Sequence, residues 1–419
     1  MFENFDINSN EIDKIKKITQ EEKNFRVKNL EFFKSAGFPN KRSEDWKFSD
    51  FNEIVNKNFY KLDIKKVISN NSKIDLIKDF DHNYIFLING DFHSSNFDFE
   101  EKNKIKINKY NEDIKYQNTK NPLICLNHAL ADNGYSLEVD KNYKFKKVLV
   151  IYNFFTKDMK NKILNNKNTI KINENSELHI IEYTINESKF KFISNVYENV
   201  VLEKNAILKN LYVQHNKSEG FFHKFLRSKL FFKSDYSNLI FSSGLKFNKL
   251  DIECDLMQEN CTCNILSALF LKKNEHQEIK TRINHLAPNC KSYQKVKNVI
   301  SSDSKGVYQG KIFVKDIAQK TNAYQLSKAL LLNDNAEFNS KPELEIYADD
   351  VKCSHGSTSG SIDESSLYYL MSRGISRKDS TNLLIKGFLN DVIELIKSPI
   401  IKKFIEKKLE DHVNGYHSY

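Results

Sequence analysis

"ENSELHIIEY", from Glu174 to Tyr183, is followed by "EKNAILKNLYV" (Glu203–Val213), "SDYSNLIFSSGL" (Ser234–Leu245), "ENCTCNIL" (Glu259–Leu266) and "PNCKSYQKV" (Pro288–Val296). In each, a polar turn ends in a small or polar residue and a short strand follows. "DSKGVYQGKIFV" (Asp303–Val314) and "DNAEFNSKPELEI" (Asp334–Ile346) repeat the theme. The turns recur about every 30 residues, once at about half that, within the range that marks solenoid architectures. A strand–turn unit of this size cannot bury its apolar side alone, so each must pack on its neighbours. A parallel β-helix meets that requirement. A long β-sandwich is the structural alternative, but it calls for more Gly and Pro hairpin signals than this nearly Pro-free stretch contains.

The segments on either side read differently. Between Asn8 and Asn40, Ile12, Ile15, Ile18, Phe25, Val27, Leu30 and Phe33 recur near helical spacing, and Gly37 and Pro39 follow as stop signals. The only tryptophan, Trp46, comes next, read as an anchor that packs the N-terminal region, with Ser49 as a cap for a short helix. "NYIFLINGDF" (Asn83–Phe92) reads as a strand ending at Gly90, and "NPLICLNHALADNG" (Asn121–Gly134) as a helix stopped by Gly134. After the β-rich stretch, Ser361 to Glu364 ("SIDE") has the spacing of a capping box, and Gly374 suits the C′ position. Ser376 caps a helix with Leu384, Phe388, Val392 and Ile396 on one face. Ser398-Pro399 opens a last helix, and Tyr416–Tyr419 is expected to fray. The expected organisation is mostly β: residues 1–142 mainly helical, 143–358 a parallel β-helix core, and 359–419 a C-terminal helical domain.

Length and composition restrict the function classes. The chain has 419 residues, of which 40% are hydrophobic, enough to fill a core. Its first residues are polar and acidic, unlike a signal peptide, and no apolar run approaches a membrane span. A cytoplasmic protein is therefore expected, without a membrane partner. The six cysteines, Cys125, Cys254, Cys261, Cys263, Cys290 and Cys353, are then expected to be thiols. The net charge of +10 comes from basic residues interleaved with Asp and Glu. No basic run with interleaved aromatics stands out, so nucleic acid is not an expected partner. Gly is scarce, at 12 residues, while Lys and Asn are abundant throughout, as in AT-rich coding sequences.

"AYQLSKALLLNDNAEFNSKPELEIYADDVKCSHGSTSGSIDESSLYYLMSRGI" (Ala323–Ile375) resembles the C-terminal signature of the SufB/SufD family of iron–sulfur cluster assembly proteins. "VYQGKIFVKDIAQKTNAYQ", "GFPNKRSEDWKFSDF" and the histidine-bearing "RINHLAPNCKSYQ" are similar to other family segments. The resemblance implies a right-handed parallel β-helix core between helical N- and C-terminal regions. It also implies a non-enzymatic scaffold that pairs with a homologous subunit. SufB-like chains carry a cysteine where this sequence has Ala336, and tend to have His-Glu where it has His355-Gly356. The chain therefore resembles the SufD type. That implies a SufB-like partner, a SufC-like ATPase docked on the C-terminal helices, and iron or a nascent cluster held transiently at the subunit interface. A homodimer is expected when the partner is absent. The alternatives are a SufB-like primary scaffold and a secreted-type β-helix enzyme acting on acidic polysaccharide, which the positive charge and the Asp349-Asp350 pair would suit.

His355 matches the histidine that the resemblance implicates at that interface, which makes it the candidate ligand for iron or a cluster. On a strand, Cys353 and His355 share a face, and thiolate and imidazole both suit iron, so Cys353 is the second candidate. Asp349 and Asp350 would point to opposite faces, which argues against a paired-carboxylate acid–base site; a turn-capping role is expected for them. "GVYQGK" (Gly306–Lys311) looks like a phosphate loop but has three residues between its glycines where four are needed, and Ile312 follows the lysine. No nucleotide is expected on this chain. Cys261 and Cys263 have no second pair at zinc spacing and read as buried thiols.

Overall fold

Left-handed backbone recurs at Asn142, Asn175, Asn205, Lys233, Asn260, Asn289 and Lys320, with φ between 57° and 63°. The intervals match those of the first five turns read from sequence; the turns at Asp303 and Asp334 precede strands of the other sheet, which accounts for the one half-length interval. Each residue donates its N–H to a carbonyl one repeat further on, for example Asn175 to Lys204, Asn205 to Phe232, Asn289 to Gln319 and Lys320 to Asp350. One corner of the chain is thus stacked repeat upon repeat. Asn tolerates this conformation because its short polar side chain bonds locally. Here it also forms a ladder: Asn175 Nδ2 donates to Asn142 Oδ1 (2.8 Å) and Asn205 Nδ2 to Asn175 Oδ1 (2.7 Å). Asn therefore fills corner positions that glycine would fill elsewhere, in a chain with only 12 glycines.

The computed structural model describes residues 5, 7, 10–15, 18–65, 75–109, 119–215 and 217–414. From Leu149 onward successive strands go alternately to two sheets, each of ten strands among the described residues. Sheet A ends at Glu337–Ile346 and sheet B at Val351–Ser361. From Leu149 onward every pairing is parallel, and columns of side chains stay in register, as in Leu250, Ile279 and Tyr308. This is a parallel β-solenoid, not a sandwich of antiparallel hairpins. Between the sheets lies a continuous apolar interior that includes Leu178, Leu208, Tyr236, Ile265 and Val296.

The sheets begin earlier than Tyr143. Asn83–Ile88 pairs with Leu149–Phe155, and Tyr135–Val139 with Lys162–Ile172. Two antiparallel partners, Asp91–Asn96 and Ile105–Lys109, close the N-terminal end. Residues 1–142 therefore carry strands as well as helices. The reason is physical: an open first coil would leave its ladder and interior bare, and these short strands cover both. At the other end the last strand runs to Ser361, past the expected boundary at 358.

The helices are α1 (Asn10–Asp13), α2 (Gln20–Ala36), α3 (Phe51–Asn58), α4 (Pro122–Leu130), α5 (Glu364–Met371), α6 (Arg377–Ile393) and α7 (Pro399–Asn414). Gly37 ends α2 at φ 71°, its N–H on the Phe33 carbonyl. Ser376 caps α6 by accepting from the Asp379 N–H, and Pro399 opens α7. Two expected caps move. Asp50, not Ser49, caps α3, because Ser49 is drawn into a contact with sheet A. Asp363, not Ser361, caps α5, because Ser361 is still paired in sheet B. The helix from Pro122 stops at Leu130, before Gly134. The expected fraying of Tyr416–Tyr419 lies outside the described residues.

Helices cover the outer face of each sheet. Leu30, Phe33, Trp46, Phe51, Leu123 and Leu126 pack on Ile163, Ile193, Phe221 and Phe247 of sheet A. Ile385, Leu389, Val392, Phe404 and Ile405 pack on Val150, Val213, Phe241 and Phe270 of sheet B. Each such side chain contributes about 1.5–3 kcal/mol when fully buried. Trp46 is the anchor expected from sequence: fully buried, with Lys249 Nζ 4.8 Å from its ring centroid. Around it Asp45 pairs with Lys280, Glu44 with Lys341, and Ser49 with Glu278. Among the described residues, no helix is long and apolar enough to cross a membrane.

Candidate functional site

The last coil has no successor. Among the described residues, Glu337–Ile346 pairs only with Lys305–Val314, and Val351–Ser361 only with Thr321–Leu331, so both sheets present a free edge here. Backbone groups of successive residues alternate in direction along a strand. The N–H groups of Glu337 and Tyr347 bond inward, to Ser304 and Val314. Those of Phe338, Ser340, Leu344 and Ile346 therefore face outward, and Pro342 interrupts that outward row. By the same alternation, Asn322 N–H on Cys290 O directs the backbone groups of Cys353, His355 and Ser357 to the free edge of sheet B.

The side chains of Cys353 and His355 share one row, as read from sequence, and Ser357 continues it. Register places Gln325 beside His355, and the buried Gln325 lies under the Tyr308 hydroxyl inside the solenoid. The row thus points to the interior side of the last coil, and His355 is exposed because no further coil covers it. Ser357 accepts from Ser327 Oγ (2.9 Å), which also meets Ser340 Oγ (2.8 Å) across the coil. This hydroxyl chain beside His355 was not foreseen; its members lie in three strands and meet only when the coil closes. Cys353 is half-buried against Ile312, Val314 and Ala323, and burial pushes its thiol pKa up. A thiol so placed packs first and ligates second. His355 can reach a group brought to the open end. Among the described residues, no group of three or more His, Cys, Asp or Glu side chains could hold a metal ion.

Asp349 and Asp350 are exposed in the final corner. The Asp350 backbone holds that turn: its carbonyl accepts from Lys320 and its N–H donates to Gln319 Oε1 (2.9 Å). Ala336 opens the Glu337–Ile346 strand, half-buried against the interior core. "GVYQGK" lies inside the strand Lys305–Val314, where its backbone belongs to the ladder instead of forming a loop. Of the cysteines, all but Cys353 are buried.

The C-terminal helices expose several large apolar side chains. Tyr368 is 75% exposed, Tyr369 56%, and Met371 and Leu383 lie near them in sequence and are also exposed. The Phe388, Val392 and Ile396 face, by contrast, packs onto sheet B.

Residues 154–388 match the family described as SUF system FeS cluster assembly, SufBD core domain. The chain is 25% identical to the iron–sulfur cluster assembly protein SufD of Escherichia coli, over 91% of this chain and 90% of that one. It is 30% identical to the chloroplastic protein ABCI7 of Arabidopsis thaliana, over 58% of this chain and 51% of that one. A SufBD family protein of Staphylococcus aureus is 24% identical over 64% of this chain and 58% of its own.

Proposed function

Because the chain belongs to the SufBD family of iron–sulfur cluster assembly proteins, we propose that it is a SufD-type scaffold subunit that supports iron acquisition and de novo cluster assembly. It works in the cytoplasm, catalyses no reaction alone and binds no nucleotide. A SufB-like subunit pairs with its open solenoid end, and a SufC-like ATPase docks on the C-terminal helices. The observation that carries this reading is the uncovered last coil: a double ladder edge with the exposed His355 at its rim. Unpaired strands invite addition of a homologous strand pair. Tyr347 (61% exposed) and the exposed Ile346 supply apolar area beside the edge. In the absence of a SufB-like partner, the same edge joins two copies of this chain.

His355 then offers one imidazole to iron or to a nascent cluster, the cargo of the complex, and the partner supplies the thiolates. The chain's own thiols support this division, since the five outside the last coil are buried and Ala336 occupies the position where SufB-like chains carry a cysteine. The same features argue against a SufB-like primary scaffold. A polysaccharide-acting β-helix enzyme would need a paired acid and base facing a groove, and Asp349 and Asp350 lie in a corner turn instead.

The test is co-expression with the SufB-like and SufC-like partners, followed by purification of the complex and iron analysis. His355→Ala is expected to leave the complex intact while lowering its iron content several-fold, with a smaller loss for Cys353→Ser. Unchanged iron in the His355→Ala complex, with normal cluster assembly in cells, would remove the ligand role.

A further inference from the structure

Cys261 and Cys290 each follow a left-handed corner asparagine, Asn260 and Asn289, in successive coils. Their sulfurs converge on one acceptor: Cys261 Sγ lies 3.1 Å and Cys290 Sγ 3.2 Å from the Gln258 carbonyl oxygen. The backbones are held at ladder spacing by Lys291 N–H on Cys261 O (2.8 Å), and the next residues, Thr262 and Lys291, are register partners. Adjacent strands lie about 4.8 Å apart, inside the roughly 4.4–6.8 Å between Cα atoms that a disulfide spans. Parallel register turns both side chains to the same side. We propose that Cys261 and Cys290 are a peroxide-reactive thiol pair that closes into a disulfide between two coils.

The two thiols are not equivalent. The neighbouring Cys290 thiol leads the causes that hold Cys261 down to about 7. The same contact pushes Cys290 up. Cys261 directly follows the exposed corner Met257–Asn260, whereas Cys290 follows the half-buried Pro288 and Asn289, so Cys261 is the attacking thiolate and Cys290 the resolving thiol. Both are fully buried, but the corner above them, Met257–Asn260, is exposed. A hydroperoxide as small as hydrogen peroxide reaches them through a local opening of that corner.

In the first step Cys261 sulfur attacks one peroxide oxygen and the O–O bond breaks. Cys261 becomes a sulfenic acid, and the departing hydroxide is protonated to water. In the second, Cys290 sulfur attacks the Cys261 sulfur and the S–O bond breaks. The hydroxyl leaves with the Cys290 proton as a second water. Two thiols are oxidised to one disulfide and one peroxide is reduced to two waters.

The location gives the bond a consequence. The strands that follow the pair, Thr262–Leu271 and Lys291–Ile300, are those on which α6 packs. Lys295 and Lys297 of the second strand bind Asp391 of α6 at 2.7 and 2.6 Å. The disulfide ties together the two coils that form the α6 platform and resists their unwinding.

The experiment uses the full-length protein treated with hydrogen peroxide, then denatured, alkylated and digested. The expected result is loss of two of the six thiols, with a linked peptide joining Cys261 to Cys290 that dithiothreitol separates. With Cys290→Ser, no linked peptide forms and a dimedone adduct traps the sulfenic acid on Cys261. Cys290→Ala repeats the test without a new hydroxyl. Oxidised wild-type protein melts several degrees higher than reduced protein, and neither variant shows that shift. The proposal is overturned if Cys261 and Cys290 stay reduced while the more accessible Cys353 is oxidised. It is equally overturned if the linked peptide joins the deeper pair, Cys254 and Cys263.

Discussion

Lys224 lies inside the solenoid between two carboxylates, 2.7 Å from Glu182 Oε2 and 3.0 Å from Glu198 Oε1, and all three side chains are buried. Asn210 Nδ2 donates to Glu182 (2.8 Å). One cation faces two potential anions in a medium that penalises charge. Burial and the Glu182 charge raise the Glu198 pKa to about 7, against the opposing pull of Lys224. Between the ordinary value of 4.5 and about 7 the folded state therefore holds a proton that the unfolded state releases. Stability from this group is greatest at the acidic end of that window and falls as pH rises through it. Glu198→Gln leaves one cation facing one anion. Its midpoint in urea is expected to exceed wild type at pH 8, with the gap closing towards pH 5. A constant gap across that range would refute the assignment. Lys224→Met strands two carboxylates and is expected to cost about 3–5 kcal/mol. None of this was visible in the chain, because Glu182 and Lys224 are 42 positions apart and become neighbours only when the two sheets face each other.

The terminal strand Glu337–Ile346 illustrates how an element of ordinary sequence acquires a role from position. Its alternation leaves the Leu344 and Ile346 N–H groups directed away from Lys305–Val314, while Glu345 and Tyr347 serve the inner ladder. Pro342 already stands at an outward position, where a missing donor does no harm to the inner ladder. Leu344→Pro is thus expected to leave the monomer's melting temperature within a few degrees of wild type. It should also weaken strand pairing with a SufB-like partner, or with a second copy, by about tenfold or more, since one ladder bond and the local strand geometry are lost. Analytical ultracentrifugation of the folded variant decides; unchanged association places the contact elsewhere. The cap at Ser376 and the helix start at Pro399 were anticipated from sequence. The shifts from Ser361 to Asp363 and from Ser49 to Asp50 were not, because a cap depends on where the preceding strand lets go or on which neighbour claims the hydroxyl.

The complete fold sets a limit on how the C-terminal helices can be tested. Since α6 and α7 cover the outer face of sheet B, deletion from Ser376 onward bares Val213, Phe241 and Phe270 to water. Such a truncation is expected to aggregate, and lost ATPase binding would then carry no information. Tyr368 and Tyr369 offer a cleaner probe, because they project from α5 into solvent, where the Tyr369 ring lies against the Arg373 guanidinium and not against the core. Changing both to Ser is expected to leave the melting temperature within about 2 °C, as surface substitutions usually do, and to reduce capture of a SufC-like ATPase at least tenfold. Full capture by the folded double variant would move the docking surface away from α5.

The repeat of polar corners about every 30 residues was enough to identify a solenoid, because a corner that must turn left-handed favours Asn where Gly is rare, with Lys233 and Lys320 the exceptions among the corners named. The helical ends were legible for a similar reason: helix periodicity and caps are local. The strand at Asn83–Ile88 was read from its apolar run; that it opens a sheet of the solenoid, and that Tyr135–Val139 is a strand, was not, since both follow from the coil they cover. His355 and Cys353 were placed on one face from spacing alone. That His355 is open and Cys353 half-buried was decided by the coil ending there, which leaves one side of the last strand without a neighbour. Burial, ion partners and free edges depend on what lies across the sheet, and in a solenoid that neighbour is about one full turn away in sequence.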